Sequence, residues 1–366
     1  MPKMDHAARR ARAAARSREA GVAAMLLAPG SDLTYLSGYR MFSSERLTCL
    51  VLAADGTATL VVPELEAPRA AAVAPDLALA TWGETADPYA LVASLVRATG
   101  AVLVSDQMWA AFALRLQAAL GGRELRPASE ITRELRMRKD PAELDALRAV
   151  SAAADRAYVR ALDLDFAGRT EREVGADLAA LLRDEGHEEV LFTIVAAGEN
   201  GASPHHQTGD RTIKKGDTVV LDFGGTRAGY GSDITRTVHV GDRPSAEVTR
   251  VHDTVRRAQE AGYAAARAGE MAQSVDAAAR SVITAAGYGE RFIHRLGHGI
   301  GLDGHEHPYL VAGNDQVLEP GMAFSIEPGI YLPGTFGVRI EDIAIVGADG
   351  TCEGLNRVDR ALAIVR

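Results

Sequence analysis

Hydrophobic and polar positions along the first third of the chain alternate between short apolar runs and longer stretches with helical spacing. The short runs predict β-strands, and apolar residues that recur every three or four positions predict helices. Strands are predicted over 22–28, 47–52, 57–62 and 101–104, and helices over 1–21, after Pro88 and over 108–120. Because strands and helices alternate, we predict a mixed α/β domain here.

A strong helix start at Asp140 marks the predicted boundary between two domains. Asp140 suits the N-cap, Pro141 suits the first helical position, and Glu143 can complete a capping box. The same signature recurs at Thr170 and Glu173. The sequence therefore predicts domains over 1–137 and 138–366, the second with helices over 141–162, 171–186, 247–267 and 274–286 among strands.

The composition is that of a globular protein long enough for two cores, with 366 residues, 47% of them hydrophobic and 24% charged. A net charge of -9 argues against nucleic-acid binding and leaves no basic surplus for a membrane surface. Cys49 and Cys352 are too few for a disulfide framework, which favours a reducing compartment. Asp5 and Glu19 make the 1–21 segment a surface helix rather than a targeting peptide. We expect a cytoplasmic protein with no nucleic-acid or membrane partner.

Two carboxylates face each other across a predicted hairpin. Asp222 follows an apolar strand run, and Asp233 lies on the returning strand after Gly229 and Gly231. Burying an unpaired carboxylate is costly, and two acids repel each other unless a cation lies between them. A single aspartate of this kind is more often a loop-end residue that reaches water, so the pair requires support from elsewhere.

Further candidates occur later in the chain, each in an apolar or glycine-rich context. They are His205 after a predicted strand, His298 and His305 in a glycine-rich segment, Glu327 at a strand end, and Glu341 with Arg339 on a predicted strand over 337–346. Singly, His298 could be a core histidine, and Glu341 could pair with Arg339. The run His305-Glu306-His307 lacks the helical spacing of the zinc proteases.

Taken together, the acids and His298 suit a metal site. Oxygen-rich coordination with one imidazole favours manganese or a similar divalent ion over a metal that prefers thiolates. Asp222, Asp233, Glu327 and Glu341 exceed what one divalent cation needs, which argues for two ions. Two metals roughly 3.5–4 Å apart and bridged by carboxylates form a known hydrolytic arrangement.

The ordered set Asp222, Asp233, His298, Glu327 and Glu341 resembles that of the metallopeptidase family of methionine aminopeptidase, prolidase and aminopeptidase P. The resemblance implies an α+β "pita-bread" catalytic domain with a curved, mainly antiparallel sheet, preceded by a creatinase/prolidase-like α/β domain. It implies two divalent ions, with Asp222 on one ion, Asp233 and Glu341 bridging, and His298 and Glu327 completing the other. Manganese is expected, with cobalt, zinc and iron as alternatives.

The resemblance also implies catalytic roles. Glu327 would take a proton from a hydroxide-forming water that bridges the metals and pass it to the leaving nitrogen. His205 and His305 would lie beside the substrate, where they would stabilise the tetrahedral intermediate or bind the scissile carbonyl and the substrate carboxylate. Arg339 would stand behind Glu341, and Thr235 would support the site near Asp233. The remaining histidines of these segments, His206, His294 and His307, are expected to be surface or support residues.

Within that family the N-terminal domain counts against methionine aminopeptidase, and creatinase lacks this ligand set. The bond before proline is a tertiary amide that general peptidases handle badly, so a dedicated pocket is expected. The compact chain and the motif Ser203-Pro-His205 favour an Xaa-Pro dipeptidase (prolidase) over aminopeptidase P. A hydrolase of a non-peptide amide remains an alternative. A non-catalytic binding module is disfavoured by the intact ligand set. A proline-containing peptide as substrate and a homodimer complete the prediction.

Overall fold

The structure, a computed structural model, describes residues Met4–Arg366. Within them the chain forms two compact units, residues 4–136 and Met137–Arg366. The division lies at the last residue of the helix Ser129–Met137. The first three residues of the predicted N-terminal helix and of the predicted 1–137 domain lie outside the described residues. Within the described part of the chain, no helix has the length and apolar character required to cross a bilayer.

The first unit is built on one mixed sheet. Its strands are β1 (Val22–Leu27), β2 (Cys49–Ala53), β3 (Ala58–Pro63), β4 (Ala78–Trp82), β5 (Ala101–Val104) and β6 (Leu125–Pro127). They lie in the order β4-β3-β2-β1-β5-β6, with β2 antiparallel to both of its neighbours and the other pairs parallel. The strands predicted over 47–52 and 57–62 thus pair with each other as β2 and β3, and the mixed α/β class of this unit is confirmed.

Six α-helices accompany this sheet, α1 (His6–Glu19), α2 (Ser31–Ser37), α3 (Ala67–Val73), α4 (Pro88–Leu95), α5 (Ala110–Ala119) and α6 (Ser129–Met137). The prediction of a surface helix near the N-terminus is only partly right, because Arg9 and Arg10 of α1 are buried. The Arg9 guanidinium lies 4.3 Å from the centre of the Tyr35 ring, and Arg10 donates to Leu36 O and to Asp76. These partners compensate for the loss of water around both charges.

Two helices of the second unit start where the capping signals predict, and the other two start within two residues of their predicted starts. They are α7 (Pro141–Ala161), α8 (Glu171–Asp184), α9 (Ala246–Ala265) and α10 (Ala272–Ala285). Both predicted capping boxes form, with Asp140 and Glu143 at α7 and Thr170 and Glu173 at α8. Each box satisfies backbone N–H groups that have no partner inside the helix.

The strands of the second unit are β7 (Glu189–Ala197), β8 (Thr218–Arg227), β9 (Tyr230–Gly231), β10 (Ile234–Val240), β11 (Gly297–Gly299), β12 (Glu306–Leu310), β13 (Ala323–Ile326), β14 (Gly329–Leu332), β15 (Phe336–Arg339), β16 (Asp342–Val346), β17 (Cys352–Gly354) and β18 (Ala363–Val365). They form two five-stranded sheets and a two-stranded ribbon. The first sheet has the order β18-β10-β8-β7 with β9 attached to β8, and the second has the order β12-β11-β13-β16-β17. All their pairs are antiparallel except β10 with β18.

The prediction of one continuous strand over 337–346 is wrong, because this segment forms two strands. β15 pairs with β14 in the ribbon, whereas β16 pairs with β13 in the second sheet. Glu341 lies between β15 and β16 and forms a backbone bridge to Thr235 of β10. Glu341 N donates to Thr235 O at 3.0 Å, and Thr235 N donates to Glu341 O at 3.4 Å. The bridge therefore joins the two five-stranded sheets.

Each five-stranded sheet has its own helices and its own core. Val174 and Leu178 of α8 belong to the same buried cluster as Val219 and Leu221 of β8. Val255 of α9 and Ile283 of α10 belong to a second cluster with residues of β13, among them Phe324. Burial of these apolar faces fixes the sheets, and the sheets fix the polar groups that lie where they meet.

Candidate metal centre

Asp222 and Asp233 lie on neighbouring strands of the first sheet. Asp222 is in the middle of β8, opposite Thr235 of β10, and Asp233 directly precedes β10. Both side chains are buried, with relative exposures of 8% and 5%. The predicted hairpin thus brings two carboxylates together where little of their surface is exposed to solvent.

His298 lies on β11 in the second sheet, where glycine is required on both sides. A Cβ on Gly297 would lie 1.9 Å from Ser325 O, and one on Gly299 would lie 2.2 Å from His307 O. The backbones of β12 and β13 can approach β11 only because these positions carry no side chain. The imidazole is consequently held in a fixed position with 2% of its residue exposed.

Glu327 directly follows β13. Ser325 of β13 holds both Glu327 and His298 in position. Ser325 Oγ donates a hydrogen bond to Glu327 Oε1 at 3.0 Å and accepts one from His298 N at 3.0 Å. One hydroxyl therefore sets the relative position of these two candidate ligands. Ser325 is buried, so a water molecule cannot replace its hydroxyl group in these two hydrogen bonds.

Glu341 is fixed by two neighbouring residues of β10, and a buried polar network extends from them to β16 and α9. Thr235 Oγ1 donates to Glu341 Oε2 at 2.7 Å, and Arg236 donates to Glu341 O at 2.7 Å. Arg236 also pairs with the fully buried Asp342 at 2.6 Å. Gln259 of α9 donates to Ile326 O and to Asp342 Oδ2, each at 3.2 Å. This buried polar network holds the ends of β13 and β16 in register beside the carboxylate cluster.

The structure brings the predicted metal-site residues within a few ångströms of one another. His298 Nε2 lies 3.3 Å from Glu327 Oε1, 3.7 Å from Asp233 Oδ2 and 4.0 Å from Glu341 Oε1. Ligand atoms also lie within 4.8 Å of one another in three triads: Asp222, Asp233 and Glu341; His298, Glu327 and Glu341; and Asp233, His298 and His305. Residues from both five-stranded sheets therefore converge on one point.

The carboxylates of this cluster lack partners for part of their negative charge. Asp222 Oδ1, Asp233 Oδ1 and Glu341 Oε1 are buried and have no hydrogen-bond partner among Met4–Arg366. Burial raises the pKa of Asp233 well above its usual range, and the charges of Asp222 and Glu327 raise it further. Burial and the charge of Asp233 likewise raise the pKa of Glu341, and burial raises that of Glu327 to about 7. Buried acids with unused oxygens facing one another fit divalent cations.

The protonation state of the His298 imidazole suits a metal ligand. Burial and the neighbouring His305 lower the pKa of His298 to about 3, so the ring is neutral at physiological pH. Its Nδ1 lies 3.1 Å from Gly299 O, and a carbonyl oxygen can only accept, so Nδ1 carries the proton. Nε2 is left with a lone pair that faces the carboxylates, as a metal ligand requires.

The alternative interpretation of Glu341, a direct ion pair with Arg339, is wrong, because Arg339 pairs with Asp222 instead. Its Nη2 donates to Asp222 Oδ2 at 2.6 Å, and its Nε donates to Thr235 Oγ1 at 3.1 Å. Thr235 in turn donates to Glu341, so Arg339 reaches that glutamate only through a hydroxyl. The reason is the division between β15 and β16, which breaks the alternation between residues 339 and 341.

A cavity of about 400 Å³ opens onto the cluster. Its lining includes the predicted substrate-side residues His205 and His305, and also residues that the sequence analysis passed over or ranked low, namely Phe192, Ile194, His294 and Arg295. His305 is exposed, and its ring centre lies 3.8 Å from that of His298. Phe192 and Ile194 give the cavity an apolar wall beside the acids.

Of the three histidines expected to be support residues, His294 is the one that lines the cavity. Its Nε2 lies 2.8 Å from Tyr331 Oη, and Arg339 donates to the same Oη at 3.0 Å. His206 instead contacts Glu171 at 2.8 Å, and His307 packs on Tyr309. Tyr331 was not selected from the sequence because a tyrosine in an apolar strand carries no signal that distinguishes it from a core residue.

Comparison with known proteins gives a consistent result. Residues 145–348 match metallopeptidase family M24, and residues 9–138 match the Creatinase/Prolidase N-terminal domain. The chain is 47% identical over 365 residues to the "Probable dipeptidase PepE" of Mycobacterium tuberculosis, covering 98% of this chain and 96% of that protein. It is 36% identical over 341 residues to the "Xaa-Pro dipeptidase" of Lactobacillus helveticus, covering 91% and 92% of the two chains. A crystal structure of a recombinant prolidase from Thermococcus sibiricus superposes with a TM-score of 0.93 at 37% identity, covering 100% of both chains.

Proposed function

The chain belongs to metallopeptidase family M24 and has its pita-bread fold, and we propose that it is an Xaa-Pro dipeptidase that hydrolyses the bond before proline. The observation that carries the proposal is the cluster of buried carboxylate oxygens without partners beside the lone pair of His298. The names of the similar proteins, dipeptidase, Xaa-Pro dipeptidase and prolidase, support the substrate.

Divalent metal binding belongs to this family, and the described side chains can hold such ions. We assign five ligands: Asp222, Asp233, His298, Glu327 and Glu341. Asp233, Glu341 and His298 each belong to two of the three triads. Of these, only the two carboxylates have a second ligand atom to share between ions, which supports bridging roles for Asp233 and Glu341. The oxygen-rich donor set with one imidazole favours two manganese ions. When bound, such ions lower the pKa of water and polarise the carbonyl group that is attacked.

The side chains supply proton transfer and orientation. Ser325 fixes Oε1 of Glu327, so the carboxylate is oriented when it accepts a proton from water and returns it to the proline nitrogen. That return is required because the nitrogen leaves the tetrahedral intermediate as a neutral amine only after it has gained a proton. His205 and His305 line the cavity and would donate hydrogen bonds to the oxygen on which negative charge develops. Arg339 holds Asp222 in position rather than touching the substrate.

The assembly and compartment are part of the proposal. We assign a homodimer to this chain, as the resemblance to the family implies. Cys49 and Cys352 are both free, which agrees with a reducing cytoplasm. Sedimentation of the purified protein tests the dimer, because a monomer at micromolar concentration contradicts it.

The proposed activity is tested with Ala-Pro and Ala-Pro-Ala, each with the metal-stripped protein and after addition of manganese. We expect manganese-dependent cleavage of Ala-Pro and little cleavage of the longer peptide. Preferential cleavage of Ala-Pro-Ala would instead identify an aminopeptidase P, and cleavage of neither peptide would leave a non-peptide amide as the substrate. Metal analysis of the same sample separates an inactive protein that still binds two ions from a binding module that holds none.

A further inference from the structure

A groove runs along the first half of α9, outside the metal centre. It consists of a pocket of about 700 Å³ and an adjoining pocket of about 340 Å³, which share the lining residues Thr249, Asp253 and Arg256. These volumes lie within the range of small-molecule sites. Neither pocket has a lining residue in common with the cavity at the metal cluster. The groove is therefore a separate candidate site.

The larger pocket of this groove has a strong excess of positive charge. Its lining contains one carboxylate, that of Asp253, and four arginines, Arg243, Arg250, Arg256 and Arg257. Positions 250, 253 and 257 share one face of α9 because they are three or four residues apart. The whole protein carries a net charge of -9, so this concentration of guanidinium groups runs against the overall charge. The pocket therefore attracts anions.

Three of these arginines, Arg243, Arg250 and Arg257, form no ion pair within the described part of the chain. Arg250 donates through Nε to a tyrosine hydroxyl at 3.3 Å, and Arg257 donates through Nε to a backbone oxygen at 3.4 Å. In both side chains the terminal Nη groups remain as donors. Arg256 differs from them, since it pairs with a carboxylate at 2.6 Å. Several free guanidinium edges suit phosphate, whose oxygens can accept from more than one of them.

The smaller pocket has a different chemistry. His252 lines it with only 3% of the residue exposed, and its ring forms no hydrogen bond with any described residue. A buried polar group without a partner is unfavourable, and a ligand hydroxyl would supply one. The pocket also offers two carboxylates as acceptors and two apolar side chains, those of Asp253, Asp359, Ala361 and Leu362. This end of the groove suits an uncharged, hydroxylated group rather than a second anion.

We propose that the groove binds a phosphate monoester of a hydroxylated organic molecule, such as a sugar phosphate or a nucleotide. The phosphate lies against Arg250 and Arg257, with Arg243 beside them, and the organic group extends to His252. α9 begins at Ala246, which also lines the larger pocket, so the positive end of the helix dipole favours the same anion. Such a site adds a second ligand to the protein and does not depend on the proposed peptidase activity.

The test is calorimetric titration of the manganese-loaded protein at physiological ionic strength, which screens weak attraction between exposed charges. Ribose 5-phosphate and AMP represent the two sources of the ester, and inorganic phosphate and ribose each lack one half of it. We expect at least one ester to bind roughly 10-fold more tightly than inorganic phosphate, and ribose not to bind measurably. The ester that binds more tightly identifies the source.

The double variant Arg250→Gln and Arg257→Gln should bind the ester roughly 10- to 100-fold more weakly, because hydrogen bonds to a charged phosphate are lost. Both side chains are exposed, so the fold should tolerate the change. The matched control replaces two exposed arginines of α8 by the same residue, in Arg172→Gln with Arg183→Gln. It changes the net charge equally and should keep wild-type affinity for the ester.

His252→Phe keeps a ring of similar shape and removes its nitrogens, so its affinity for the ester should fall to that for inorganic phosphate. Unchanged affinity in the variant of Arg250 and Arg257 would place the ester on the metal ions. An equal loss in the α8 control would indicate general attraction to positive charge, and no preference for either ester over inorganic phosphate would exclude an organic ligand. Each of these three results overturns the proposal, and the first two do not depend on the folding of His252→Phe.

Discussion

Arg339 and Asp222 form a buried ion pair in which Nη2 donates to Oδ2 across 2.6 Å. The pair leaves the other oxygen of Asp222 without a hydrogen-bond partner among the described residues. One arginine therefore orients a carboxylate and leaves its second oxygen available for a metal ion. Groups that orient metal ligands in this way are nearly as important for affinity as the ligands themselves.

Replacement of Arg339 by Met should lower manganese affinity or kcat by roughly 10- to 100-fold, because Asp222 loses its orientation. Arg339→Lys should recover only part of this loss, since an ammonium group cannot donate to Asp222, Thr235 and Tyr331 from fixed positions. Manganese titration followed by calorimetry measures the affinity. Wild-type affinity and turnover in Arg339→Met would show that Asp222 is oriented by other groups.

Replacement of Asp233 by Ala should remove metal and activity together, because the residue belongs to two of the ligand triads. Metal analysis after dialysis measures the bound ions. The melting temperature gives a second measure, since manganese at 100 times its dissociation constant should stabilise the wild type by about 2.7 kcal/mol and the variant by much less. Exposed Asp242→Ala is the control. Normal turnover with a full complement of metal in Asp233→Ala would refute the bridging role.

Replacement of Gly299 by Ala should destabilise the second sheet by about 1–3 kcal/mol and displace His298. The added Cβ would lie 2.2 Å from His307 O, and two backbones cannot separate there without breaking the pairing of β11 with β12. Gly304→Ala is the matched control from the same segment, since nothing lies within 4 Å of its added Cβ. Urea unfolding measures the stability of both variants. Equal stability of the two would mean that the close approach at Gly299 can relax.

His252 on α9 should make the unfolding free energy depend on pH. Burial lowers its pKa to about 4 from a model-peptide value of 6.5, although the Asp253 carboxylate opposes the shift. Between pH 6.5 and about 4 the unfolded chain binds the proton and the folded chain does not, so stability falls as the pH falls through this window. The loss should reach about 3 kcal/mol at the acidic end.

Urea unfolding of His252→Gln at several pH values isolates this contribution, because other buried histidines titrate in both proteins. The free energy of unfolding of the variant should depend less steeply on pH than that of the wild type. Parallel pH curves for the two proteins would mean that His252 is protonated alike in the folded and unfolded states.

Features that depend on neighbouring residues were predictable from the sequence. The capping boxes at Asp140 and Thr170 form as predicted because each needs only residues within one helical turn. The acids at Asp222 and Glu341 could be selected because a carboxylate in an apolar run is unfavourable without a partner, and that partner need not be known in advance.

Features that depend on distant residues were not predictable. The chain breaks between β15 and β16 because the Glu341 backbone pairs with Thr235, which lies in another sheet. Arg339 likewise pairs with a residue of another sheet, Asp222. Arg10 can be buried because it donates to Asp76 and to Leu36 O. Arg295 carries no local signal either, since an arginine near a histidine is common on protein surfaces.

The bridge between Thr235 and Glu341 has a consequence for biosynthesis. A nascent chain that has made β7, β8 and β10 carries Asp222 and Asp233 but lacks the second sheet and β18, which completes the first sheet. The imidazole and the remaining acids arrive with β11, β13 and the segment before β16. The full set of candidate ligands can therefore assemble only after translation has passed Glu341.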